Sequence, residues 1–188
     1  MNCKKGIALL ELSFGKPKKE EWKDLLADIY FMYTANFGRW FEDEGRLDAL
    51  RYWKNEVKSM LETLAGEMNK GHVFGHGPLR ALGRAWFSIP GGRNRALGYL
   101  KDAYEKSLDP NLKVSVYPLN TAFYAEALIA KGEDEEAKNI LERALAVAED
   151  PNKLEALKAE SFKKYQEYRM PEMIEEIDLC REIYKGMN

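Results

Sequence analysis

The chain has 188 residues, 45% of them hydrophobic and 12% aromatic, which supplies a packed core and is too apolar for a disordered segment. Its 29 basic and 31 acidic residues leave a formal charge of −2, so no excess of either sign draws it to nucleic acid or to an anionic membrane surface. The cysteines, Cys3 and Cys180, lie near opposite ends and form neither a disulfide framework nor a metal-ligand cluster.

Taken in chain order, the run Ile7-Ala8-Leu9-Leu10 stops at Glu11, too short for a signal core, and no apolar stretch approaches the roughly 20 residues a membrane span needs. Trp22, Leu25, Leu26, Ile29, Tyr30 and Tyr33 then form a helical stripe after Pro17, and Leu47, Leu50, Trp53, Val57, Met60 or Leu61, and Leu64 form a second. Together they predict an N-terminal helix pair over 17–70. Trp22, Tyr30, Phe31, Tyr33, Phe37, Trp40 and Phe41 are too dense for one helix to bury against one neighbour. Any surplus apolar surface would serve self-association or open onto a ligand cavity.

The Gly-rich segment 71–77 breaks the chain, and Pro78 stands where a first helical residue belongs. A helix carrying Leu79, Leu82, Trp86 and Phe87 is expected to stop at Ile89-Pro90-Gly91-Gly92, with a return helix through Ala96, Leu100, Ala103 and Leu108. Val114-Ser115-Val116-Tyr117, closed by Pro118, reads as an extended connector. Leu119 to Ala130 and Glu133 to Ala148 make the next pair across Lys131-Gly132, and two more helices are expected over 152–186. The whole is read as one all-α domain, 1–188.

The two central pairs, 78–110 and 118–151, match each other. Leu82-Gly83 precedes Trp86 as Tyr124-Ala125 precedes Leu128, and Ala96-Leu100-Ala103 repeats as Ala137-Leu141-Ala144, each return helix being followed by a proline. Glycine inside a helix costs roughly 1 kcal/mol against alanine, so Gly83 predicts a contact with no room for a Cβ.

At these residues the chain resembles the tetratricopeptide repeat family: a small residue in the first helix, a glycine turn, spaced alanines in the second and a closing proline. The resemblance implies antiparallel helix pairs stacked in a short right-handed solenoid, with the outer helices as caps. More narrowly, Gly77-Pro78-Leu79-Arg80-Ala81-Leu82-Gly83-Arg84, Ile89-Pro90-Gly91-Gly92 and Ala96-Leu97-Gly98-Tyr99-Leu100 resemble the T component of tripartite ATP-independent periplasmic (TRAP) transporters. That resemblance implies a transport accessory subunit, in oligomeric form or not, whose partner is the periplasmic substrate-binding subunit. A small organic acid or another apolar-tailed ligand is implied as a possible cargo. It also implies a periplasmic location once a signal has been removed; without it the cytoplasm is expected.

First helices of such pairs line the concave face. Arg80 and Arg84, spaced i,i+4, Phe87 one turn on, and Ala122, Glu126 and Ile129 of the next pair are therefore the expected partner- or ligand-binding residues. Two guanidiniums beside an aromatic ring suit a carboxylate, and the competing reading is an internal pair of Arg84 with Glu126. The fuller carboxylate clamp of chaperone-binding repeats is not met, since Ala122 and Glu126 stand where further basic and amide groups belong.

His72 and His76 share metal-ligand spacing but sit in a glycine-rich loop without a cysteine or an intervening acid, so no metal is assigned. No nucleophile-base pair or P-loop is present, no cofactor is called for, and Glu133-Asp134-Glu135-Glu136 reads as the acidic start of a helix. The sequence thus points to a non-enzymatic protein-binding scaffold, with a small-ligand carrier as the alternative.

Overall fold

The structure, a computed structural model, describes residues 27–34, 53–66, 73–165 and 170–187. Among them it is all helical, without a strand; the connector before Pro118 contributes only an isolated bridge between Leu108 and Ser115. Trp22, Phe37, Trp40, Phe41, Cys3 and His72 lie outside the described residues. The chain divides into two compact units, Met1–Val73 with Gly77–Leu82, and Phe74–His76 with Gly83–Asn188.

In the first unit, residues 27–34 form helix α1, and a π-helical turn, Trp53–Val57, runs into α2 (Lys58–Ala65). Val57, Leu61 and Leu64 are buried at i, i+4 and i+7, the stripe the sequence predicts. The Tyr33 hydroxyl donates to Glu56 Oε2 at 3.2 Å. Gly77 packs against Phe31 so closely that an added Cβ would lie 2.4 Å from Cζ.

Helix α3 (Val73–Ser88) contains Pro78 five residues after its start, where the sequence predicts the helix to begin. The difference has a backbone cause: Gly75 (φ 59°) and His76 (φ 63°) are left-handed, so the chain turns sharply just before Gly77-Pro78. Gly75 is required there because a Cβ would fall 1.9 Å from Tyr117 Cδ2. The His76 ring holds its own strained backbone through Nε2 and the Lys106 carbonyl oxygen, 3.0 Å apart.

The second unit continues through α4 (Arg93–Lys106), α5 (Pro118–Ile129), α6 (Asp134–Glu149), α7 (Pro151–Tyr165) and α8 (Met170–Gly186). Gly83 meets α4 as its sequence position predicts: a Cβ would lie 2.4 Å from Leu100 Cγ and 3.3 Å from the Ala96 carbonyl oxygen. Leu100, Ala122, Ala125, Leu128, Ala137 and Leu141 are fully buried in one core cluster. Helix α5 lies at its centre, packed by α4, α6 and α8.

Pro118 opens α5 at a position where its missing N–H is no loss. Helix α8 completes that start from outside: the buried Glu176 carboxylate accepts the Leu119 N–H at 3.3 Å, and Cys180 Sγ donates to the Pro118 carbonyl at 3.4 Å. Burial pushes the Cys180 thiol up to about 12, with the Glu176 charge adding to the shift. The last two helices have different neighbours. Leu157 of α7 joins Val147 of α6 and the connector residues Val114, Val116 and Tyr117, whereas α8 packs on α5 and α6. Asp150 starts α7 by accepting the N–H groups of Asn152 and Lys153, and the latter bond chiefly holds its carboxyl below the usual range.

Candidate functional site

Because three helices surround α5, only one stripe of it reaches the surface: Leu119, Phe123, Glu126 and Ala130, at i, i+4, i+7 and i+11, are partly exposed, as is Ile129 beside them. On α3 the corresponding partly exposed residues are Arg84 and Phe87. An ion pair between Arg84 Nη1 and Glu126 Oε2 joins the two helices. The Arg84 guanidinium lies 4.1 Å from the centroid of the Phe123 ring and 5.7 Å from that of Phe87, a stacked cation held by two aromatic neighbours.

This arrangement leaves groups unused. Among the described residues, Nε and Nη2 of Arg84 and Oε1 of Glu126 have no partner, and the two side chains are 40% and 31% exposed. The pair therefore offers a donor and an acceptor side by side on a partly apolar surface.

Of the residues predicted to line one groove, Arg84, Phe87 and Glu126 come together, and Ile129 is partly buried against the same core cluster. Arg80 is only 9% exposed and has interactions of its own. Ala122 is fully buried in the core, because it lies on the side of α5 that its neighbouring helices cover. Phe123 belongs to this face without being among the residues the sequence pattern points to. Its signal was present, three residues before Glu126 on the same helical face.

Several other polar groups in the unit are committed internally, whereas the buried Trp86 Nε1 and Thr121 Oγ1 have no hydrogen-bond partner among the described residues. Asn120, fully buried, directs Nδ2 toward Gly75 O at 2.8 Å, Ser107 Oγ at 3.0 Å and Ala103 O at 3.2 Å. Ser107 Oγ and Ser115 Oγ are 2.6 Å apart, which ties the connector to the end of α4. The Tyr124 hydroxyl donates to Glu136 Oε1 at 3.0 Å, and burial together with that carboxylate raises its pKa. Glu136 belongs to the acidic first turn of α6.

The basic residues after the Gly91-Gly92 turn are likewise engaged: Arg95 stacks 4.6 Å from the Trp86 ring centroid, Arg93 Nη1 donates to Ala130 O at 3.4 Å, and Asn94 Oδ1 accepts from Lys131 Nζ at 2.7 Å. A cavity bordered by Val114, Pro118, Leu145, Leu157, Ile177 and Cys180 measures about 10 Å³, the size of one water. Among the described residues no helix is long and apolar enough to cross a membrane, and no group of three or more His, Cys, Asp or Glu side chains is gathered as metal ligands.

Comparison with protein-family models, curated proteins and solved structures finds no match. The face on α3 and α5 must therefore be read from its own chemistry.

Proposed function

We propose that the protein is a non-enzymatic protein-binding scaffold, a short right-handed solenoid of tetratricopeptide-like pairs with flanking helices, that takes a partner on the face of α3 and α5. The observation that carries this reading is the Arg84–Glu126 pair, held by Phe87 and Phe123 yet partly exposed, with donors and an acceptor unused among the described residues. Such a fixed, water-accessible polar pair on an apolar surround is the composition of an interface centre.

The in-register repeats and the tight approach of Gly83 to Leu100 support the tetratricopeptide-like arrangement. The likeness of 77–100 to TRAP T components supports a role as accessory subunit, with the substrate-binding subunit as partner in the periplasm. The carrier alternative asks for a pocket of a few hundred Å³, and the cavity among α5, α6, α7 and α8 is about 10 Å³.

The test is affinity capture from the source cells with the parent protein and with an Arg84→Ala/Phe123→Ala double variant of verified fold, followed by quantitative mass spectrometry. A partner recovered by the parent and lost by the variant is expected, and a solute-binding subunit among such partners would support the transport setting. Identical capture by both proteins would reject the face.

A further inference from the structure

Resting on the reading of this face as a binding surface, we infer that the Arg84–Glu126 pair recognises an amide group of an extended partner segment, not a free carboxylate. The amide is a main-chain peptide group or an Asn or Gln side chain, with an apolar side chain beside it. Arg84 has a carboxylate already in contact through Nη1, so its charge is largely balanced before any ligand arrives. An incoming carboxylate would meet Arg84 only by lying next to Glu126, and two anions at hydrogen-bond range repel strongly on a partly desolvated surface.

A neutral amide avoids that conflict and uses both unused groups. Its carbonyl oxygen accepts from Nε or Nη2 of Arg84, and its N–H donates to Oε1 of Glu126. Each is a hydrogen bond to a charged group, the stronger class. Stacking on Phe123 at 4.1 Å fixes the guanidinium plane, so few rotamers remain to be frozen on binding. Phe87 and Phe123 supply the apolar flank against which the ligand's side chain packs, and Ile129 extends the apolar surface along the same side of α5.

The test uses the full chain labelled with ¹⁵N and follows the Arg84 Nε–H resonance, assigned by its loss in Arg84→Lys. The probes are 4-methylpentanamide and 4-methylpentanoate at pH 7, which share shape and apolar chain and differ only in carrying a neutral amide or a carboxylate. The amide should give a saturable shift with a Kd at least about tenfold lower than that of the acid.

Glu126→Gln should reverse the order, because it removes the competing anion while leaving an acceptor. A tighter acid in the parent, an unchanged preference in Glu126→Gln, or no saturable shift with either probe overturns the inference. The scaffold reading fails separately. If partner capture still depends on Arg84 and Phe123 while the amide preference is absent, only the ligand chemistry is wrong; if capture is indifferent to both residues, the face itself is wrong.

Discussion

The polar groups around Asn120 and those around Arg84 both tie α5 to earlier parts of the chain, but they differ in what they leave over. Asn120 is fully buried and its two amide hydrogens are shared among three acceptors from Gly75, Ala103 and Ser107. Arg84 and Glu126 form one ion pair, remain partly exposed and, among the described residues, keep a donor edge and an acceptor oxygen unspent. A buried and fully used network fixes the fold, whereas an exposed and half-used pair contributes little to stability and is available for recognition.

The largest break in that contrast should come from Asn120→Leu. It removes the buried donor shared by Gly75 O, Ala103 O and Ser107 Oγ, and a buried polar group that loses its hydrogen bond costs about 1–3 kcal/mol. A loss of roughly 3 kcal/mol and a Tm lower by about 10 °C are expected by calorimetry. A shift within a degree or two would show that the network is dispensable.

Next in size is an alkaline loss of stability. The Cys180 thiol titrates near 9.0 when unfolded and is raised to about 12 when folded. Between these values the unfolded chain has released its proton and the native one has not, so stability is whole below pH 9 and falls as pH rises toward 12. The fall should reach about 2.7 kcal/mol by pH 11. Denaturant midpoints measured across that range should decline less steeply in Cys180→Ala. Tyr124 and Tyr104, both raised chiefly by burial, keep part of the decline in place.

Gly83→Ala sets a gain in helix propensity of roughly 1 kcal/mol against overpacking onto the buried Leu100, which costs about 1–3 kcal/mol. A net loss of about 1 kcal/mol is expected in urea unfolding, and a stabilised variant would deny the close approach. Smallest of all, Arg84→Ala should move stability by no more than about 0.5 kcal/mol, because its ion pair is partly solvated. If its thermal transition fell as far as that of Asn120→Leu, the division between fold and recognition would collapse.

Much of the fold is legible in periodicity. Ala96, Leu100 and Ala103 and their counterparts Ala137 and Leu141 are buried as the spacing requires, the third counterpart Ala144 is only partly buried, and Gly83 marks a close contact that the structure contains. The face was legible in part. Spacing on one helix fixes the relative direction of Arg80 and Arg84, but not which turn a neighbour covers, and Arg80 is buried.

Likewise, Ala122 and Glu126 share a side of α5, yet three packed helices reduce the open part to the stripe through Phe123. Asn120 left no local signal at all. Its acceptors come from 13 to 45 residues away along the chain, a distance over which residue patterns carry no register.

Hydrogen-deuterium exchange of the protein with and without its captured partner tests the central claim most directly. Slowed exchange is expected at 84–88 and 123–130, the segments that carry Arg84, Phe87, Phe123 and Glu126. Protection confined to α6, over 134–149, with those segments unchanged, would contradict it.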